Sequence, residues 1–250
     1  TIGPAPGIES VAFVAHDLRS GACWQTDSAG IADRHPPWST FKIPHLLIAL
    51  ETAAVSSPAQ ILLWAKNRRP AESYWPEVWK QNLSLAEAFE YSAAWPFQDL
   101  VGKVGPSGYA KWLARFDYGN ALVPTGRDDF WLGGPLAISP LEQVDFLSCL
   151  VLSGCGVSQR AIRELEAVAL QDEREGFRLY AITGSGHVQP RDFDGPFEGW
   201  YVGYVRNPQG TPAVAFATYV RATSYSALRL YRKSVIEHVL EALGFWKQQP

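Results

Sequence analysis

A serine and a lysine stand three residues apart in Ser39-Thr40-Phe41-Lys42, flanked by Trp38 and by Ile43-Pro44. In helical backbone such residues share a face, with Cβ atoms about 5–6 Å apart. The spacing places an amine beside a hydroxyl. A serine hydroxyl is a weak nucleophile at its free pKa and needs an adjacent base. A lysine amine is that base only where its surroundings disfavour the charged form. The apolar run Leu46-Leu47-Ile48-Ala49-Leu50 follows at once and supplies such surroundings. The chemistry implied is attack by Ser39 on a carbonyl, with Lys42 taking the proton. In isolation the spacing fits a capping serine beside a solvated lysine better, so the case depends on the rest of the chain.

The elements that must position this pair follow from local pattern. Ser39 is expected to open a helix to about Ala54, with Pro44 in its first turns, where amides lack partners anyway. Ser10 to His16 alternates and is rich in β formers, so it reads as a strand. A turn over Asp17–Gly21 and a return strand Ala22–Thr26 complete a hairpin. A loop from Ser28 to Trp38, with Gly30, Pro36 and Pro37, delivers the chain to Ser39. Residues 60–80 carry Trp64, Trp75 and Trp79 among Lys66, Arg68, Arg69 and Lys80 without a clean period, and read as loops and short helices.

Leu83–Tyr91 reads as a helix, with Ser84 and Glu87 as a capping box. Further helices are expected from beyond Ser92 to about Val104 and over Pro106–Phe116. Tyr118-Gly119-Asn120 is a turn by composition, and Phe130–Gly134 an aromatic-glycine loop. Ser139 and Glu142 cap a strong helix, Leu141–Leu152. Ser158–Leu170 follows as a helix with Arg163 and Glu166 on its wet side. Strands are expected at Phe177–Ile182, Gly199–Val205 and Ala213–Val220, the last two joined by the Asn207–Gly210 turn. Ser226–Leu243 closes the chain as a helix ended by Gly244.

This order predicts an α+β fold: an antiparallel sheet built from both chain ends and flanked by helices, with an all-helical second lobe. The chain is read as a single domain over residues 1–250. The sheet lobe covers about 1–38 and 171–250, and the helical lobe about 39–170. A junction between lobes is a usual place for a small-molecule cleft.

Composition narrows the function. With 47% hydrophobic residues and a mean hydropathy of −0.10, the chain has material for a large core and none of the bias of a disordered one. Ten Trp, ten Tyr and twelve Phe can fill that core and line a cleft. Lys and Arg total 22 against 25 Asp and Glu, a net charge of −3 without a basic block, which argues against a nucleic-acid partner. No apolar run reaches the roughly 18 residues of a membrane span. The chain carries no recognisable signal peptide and no Met, not even an initiator, which predicts a processed product compatible with export.

Cys23, Cys149 and Cys155 are an odd set, so a fully paired framework is excluded. A Cys149–Cys155 bridge needs a chain reversal at Ser153-Gly154, and buried free thiols are the expected state. His16, His35, His45, His187 and His238 show no metal-ligand spacing, and no structural metal is expected. The one zinc arrangement within reach joins His187 to Asp192 or Asp194. Gly184-Ser185-Gly186 lacks the strand-to-helix setting of a phosphate loop.

Several segments together resemble the class D, oxacillinase-type serine β-lactamases, over nearly the whole chain. The stretch S-T-F-K-I-P-x-L-L-I-A-L-E-T from Ser39 looks like that family's nucleophile helix. Ser92-Ala93-Ala94, with Trp95 and Phe97-Gln98, looks like its S-x-V motif and the W-x-x-Q that follows. Tyr118-Gly119-Asn120 matches Y-G-N. Trp131-Leu132, Leu136-x-Ile138-Ser139, Gln143 and Phe146-Leu147 resemble its W-L…L-x-I-S…Q-x-x-F-L loop and helix. Leu179–Gly184 stands at L-Y-G-K-T-G, Gly199–Val205 at G-W-x-V-G-W-V, and Arg232-Lys233-Ser234 where a terminal-helix arginine is expected.

The resemblance implies a β-lactamase and penicillin-binding transpeptidase-like fold and hydrolysis of β-lactams through an acyl-serine, in a periplasmic or secreted enzyme. It implies Ser39 as nucleophile, Lys42 as general base and Ser92 as proton relay to the leaving nitrogen. It also implies CO2 bound as a carbamate on Lys42, held by Trp131. The amides of Ser39 and of the strand after Thr183-Gly184, at Ser185, would form the oxyanion hole. Arg232 and Thr183 would hold the substrate carboxylate, with Ala94 and Leu132 beside the substrate. No other cofactor is implied, and the partner is a small β-lactam.

Three departures from the motifs bear on activity. Ala94 replaces a valine beside the lysine, which predicts a looser, wetter pocket. Ala181 replaces a glycine. Ile182 replaces the lysine of K-T-G and supplies neither charge nor donor; His187, Arg191 and Arg178 are the candidates to stand in. The expected enzyme is weak or has an unusual substrate range. The rivals are a penicillin-binding or sensor-type homologue acylated without useful turnover, and a peptidoglycan-related penicillin-binding protein.

Overall fold

The structure is a computed structural model and describes residues 2, 5–26, 30–189 and 195–247. Strand β1 (Ile8–Asp17) turns back into β2 (Cys23–Gln25). The turn is held by the Asp17 carboxylate, which accepts from the Arg19 and Ser20 amides. The Pro-rich approach leads into a single 3-10 turn, Trp38–Phe41, and only then into α1 (Lys42–Glu51). The expected helix is thus shorter than its apolar pattern suggested and starts as a tighter coil.

The middle of the chain holds β3 (Ile61–Leu62), β4 (Leu83–Ser84), α2 (Leu85–Glu90), α3 (Trp95–Val104), α4 (Pro106–Arg115), α5 (Pro140–Ser153) and α6 (Gln159–Ala169). The capping boxes at Ser84/Glu87 and Ser139/Glu142 both form. Glu166 is not on a wet face: it bonds Tyr204 and Arg206 and is 17% exposed. Strands β5 (Leu170–Arg174), β6 (Phe177–His187), β7 (Phe197–Arg206) and β8 (Pro212–Ala222) precede α7 (Tyr225–Ala242).

Six strands form one sheet in the order β2-β1-β8-β7-β6-β5, every pair antiparallel. The first strand lies against the last, so the two chain ends close the sheet between them. Strand alternation gives the sheet two apolar faces. One presents Phe13, Ala15, Leu179, Ala181, Tyr201 and Phe216 to Ile236 and Leu240 of α7. The other presents Ala12, Val14, Tyr180, Ile182, Trp200 and Val202 to the helical part of the chain. Among the described residues no helix is long and apolar enough to cross a membrane.

The cysteine expectation is corrected. Cys149 and Cys155 are disulfide-bonded, with Cα atoms 5.4 Å apart. Gly154 leaves α5 in the left-handed conformation, at φ 81°, and that reversal brings the two sulfurs together. Cys23 is free and exposed.

Candidate active site

Helix α1 buries nearly all its residues, Lys42 among them at 0% exposure. The Lys42 amine lies 2.7 Å from Ser39 Oγ and 3.3 Å from both the carbonyl and the hydroxyl of Ser92. Ser92 Oγ is 2.9 Å from Ser39 Oγ, closing a triangle of amine and two hydroxyls. Burial alone lowers the Lys42 pKa to about 7. Phe97 lies 5.4 Å from the amine, and Phe41, His45, Phe130 and Trp131 pack ring against ring in the same core. The Lys42 side chain is shut off from bulk solvent, with Ala94 in place of the family's valine. Ala94 precedes α3, where its carbonyl accepts from Phe97 and Gln98.

Ser92 has φ 57°, a conformation that non-glycine residues rarely adopt and that concentrates at functional sites. It sits between α2 and α3 and points its hydroxyl at Ser39 only because both helices fix that bend.

Strand β6 runs directly past the nucleophile. A Cβ on Gly184 would stand 2.8 Å from the Pro37 carbonyl and 3.1 Å from the amides of Ser39 and Thr40. Only glycine allows this approach, which brings the strand backbone at Ser185 beside the first turn of the Ser39 segment. Amides in a first helical turn lack intrahelical acceptors. Thr183 and Ser185 are both half-buried. Arg232 comes through from α7, 4% exposed, and its Nη1 donates to the Gly184 carbonyl at 2.7 Å. Its Nε has no hydrogen-bond partner among the described residues, and burial lowers its pKa. Leu132 is half-buried next to Trp131, whose carbonyl accepts from the Trp38 amide.

Ile182 is 7% exposed and packs in the core on the helical side of the sheet; Ala181 points to the α7 side. Neither described stand-in brings a charge to the Ile182 position: Arg178 pairs with Glu173, and His187 packs on Phe197 at 4.2 Å. Arg191, Asp192 and Asp194 lie outside the described residues, and with them the zinc arrangement. Among the described residues no group of three His, Cys, Asp or Glu could hold a metal ion.

Sequence reading placed Asn120 and Gln143 in motifs but gave neither a role, and it gave His45 none. Asn120 braces the 130–138 loop by bonding Pro135, Ala137 and Leu122. Gln143 donates to Thr40 and Tyr118, fixing the 3-10 turn from α5. His45 bonds the buried Tyr109 hydroxyl at 2.8 Å, while its Nε2 and the Trp131 Nε1 are buried without partners among the described residues. The signal was present as the spacing of His45 from Lys42 on one helix face, but not as a contact.

Over residues 18–241 the chain matches the penicillin binding protein transpeptidase domain family. It is 31% identical to beta-lactamase OXA-10 of Pseudomonas aeruginosa, over 93% of this chain and 84% of that protein. It is 29% identical to the probable beta-lactamase YbxI of Bacillus subtilis (strain 168), over 93% and 80%. Among solved structures, the class D beta-lactamase YbXI from Nostoc superimposes with a TM-score of 0.84 at 28% identity, covering 94% of each chain. FUS-1 (OXA-85) from Fusobacterium nucleatum subsp. polymorphum shares the fold with a TM-score of 0.85 at 22% identity, over 95% and 94%. A serine beside a buried lysine, in a fold and sequence shared with these enzymes, places the chain in the class D serine β-lactamase family.

Proposed function

We propose that the protein hydrolyses β-lactams through an acyl-Ser39 intermediate. One observation carries this reading: an amine with a pKa near 7 held 2.7 Å from the serine oxygen. At neutral pH much of Lys42 is uncharged and able to take the Ser39 proton as the hydroxyl attacks the lactam carbonyl. Ser92, within reach of both groups, would pass a proton to the lactam nitrogen as its bond to carbon breaks. The amides of Ser39 and Ser185 would hold the oxyanion, the largest expected contribution to such a step. Arg232 and Thr183 would take the substrate carboxylate, the unpartnered Nε of Arg232 favouring an anion nearby. Ala94 and Leu132 would border the substrate.

A carbamate formed from CO2 on Lys42 fits these residues. The buried indole N–H of Trp131 has no acceptor among the described residues, and such a donor is costly to leave unmatched. Trp131 would hold the group, which when bound supplies an anionic base for the hydrolytic half of the reaction.

Ile182 favours a weak enzyme with a narrow range, and it keeps alive the second reading of a homologue acylated without turnover. Export to the periplasm or medium is supported by the Cys149–Cys155 bridge, since disulfides persist in oxidising compartments. Intact-mass spectrometry after penicillin exposure tests the reading. The wild type gains one penicilloyl mass that clears with time, and Ser39→Ala gains none. An adduct on Ser39→Ala would overturn the assignment of the nucleophile, and one that never clears on the wild type would select the second reading.

A further inference from the structure

Glu198 on β7 is 6% exposed, yet both its carboxylate oxygens are engaged by aromatic side chains. The Trp38 indole N–H donates to Oε1 at 2.8 Å, and the Tyr219 hydroxyl donates to Oε2 at 2.6 Å. Tyr219 is itself fixed by His35, stacked on it at 3.7 Å, and His35 is bridged through its backbone to Ile138. A carboxylate is expensive to bury, and here one of its two bonds holds an indole in place while the other ties it to Tyr219.

That indole belongs to the residue immediately before the nucleophile. Trp38 has φ 50°, a left-handed conformation for a bulky side chain. Its ring lies on two glycines: a Cβ on Gly186 would stand 2.2 Å from it, and one on Gly133 2.9 Å. Gly186 follows Ser185 on β6, and Gly133 follows Trp131-Leu132. The half-buried indole therefore lies between β6 and the 131–134 segment, next to Ser39. A rigid group entering there must displace the ring and break its bond to Glu198, leaving a buried carboxylate with one donor fewer.

We propose that Trp38 is a specificity-determining wall of the acyl-binding cleft and that Glu198 is the positioning residue that holds it, so that the site favours β-lactams with small side chains over bulky, rigid ones. This rests on Ser39 being the acylated residue.

The test compares kcat/KM for oxacillin, with its bulky aryl side chain, against the bare aminopenicillanic acid nucleus. Trp38→Ala should raise the oxacillin-to-nucleus ratio about tenfold, the scale of hydrophobic pocket discrimination. Trp38→Phe keeps a ring but loses the N–H, and Glu198→Ala removes the acceptor; both should raise the ratio in the same direction by a smaller factor. Glu198→Gln keeps an acceptor for the indole and should return the ratio toward that of the wild type. An unchanged ratio in both folded Trp38 variants overturns the wall. A Glu198→Ala ratio equal to wild type overturns the positioning role, as does an equal fall for both substrates with a lowered Tm. Failure of the nucleophile reading is separate, since it shows as a penicilloyl adduct on Ser39→Ala.

Discussion

At the scale of single residues, Lys42 and Ile182 set what this site can do. Lys42 is active when neutral, and its pKa lies near 7 because it is buried. Acylation should therefore rise about tenfold per pH unit below 7 and level off above it, which stopped-flow labelling across pH would show. The stability linkage has a defined sign. Between about 7 and the unfolded value near 10.4, the unfolded chain carries a proton that the folded one lacks, so stability rises with pH across that window. Lys42→Met should abolish acylation yet stabilise the fold by about 1 kcal/mol at neutral pH, read by urea unfolding. Ile182→Lys should raise kcat/KM for penicillins about tenfold to a hundredfold, because a charge-assisted hydrogen bond is worth roughly 1.5–3 kcal/mol. A folded Ile182→Lys protein with flat or lower kcat/KM would show that the missing ammonium does not limit the site. The Ser39, Lys42 and Ser92 constellation was legible in the sequence because its members fall in short motifs. The Trp38–Glu198 bond was not, since 160 positions separate its ends and neither residue belongs to a motif.

Elements show why the legible motifs stop where they do. The expected strand ended at Ile182, because Thr183-Gly184-Ser185-Gly186 carries two glycines, which sequence reading treats as breakers. The observed β6 continues to His187. Those glycines do not interrupt the ladder; they admit the 3-10 turn at Gly184 and the indole at Gly186. Strand β5 was missed because Leu170–Arg174 is mostly polar and forms the sheet edge, where pattern is weakest. The two capping boxes were read correctly, since each is a contact between residues three apart, whereas α1, which has no such box, starts later than expected. The close approach makes a prediction. Gly184→Ala forces the strand away from Ser39 and Thr40, and acylation should fall at least tenfold with the circular dichroism spectrum unchanged. Acylation at the wild-type rate would mean that the spacing of β6 from the Ser39 turn is not what forms the oxyanion site.

The whole molecule places its chemistry at a junction between chain segments far apart in sequence. Ser39, Ser92, Trp131, Ser185 and Arg232 come from separate elements, and no contiguous piece of the chain contains the site. The both-ends sheet was readable from element order alone, because β1 and β8 could pair only by closing the chain on itself. The division into a sheet lobe and a helical lobe remains a proposal about cooperativity. One apolar cluster holds Ala12 and Val14 of β1, Leu46 and Leu47 of α1, Leu147 of α5, and Ile182 and Trp200 of the sheet. This shared core joins the helical part to the sheet, although the sheet lobe also holds a separate apolar cluster beneath α7, and α5 packs directly on β1 and β8. Unfolding should therefore be a single transition in which both lobes lose structure together. In a urea titration, penicillin labelling of Ser39, tryptophan fluorescence and far-ultraviolet circular dichroism should share one midpoint. Labelling lost at clearly lower urea than the circular dichroism signal would show that the helical lobe opens first and that the site depends on its docking. Reducing Cys149–Cys155 should cost about 2 kcal/mol of stability, the entropy of a short closed loop, and so lower that common midpoint without separating the three signals.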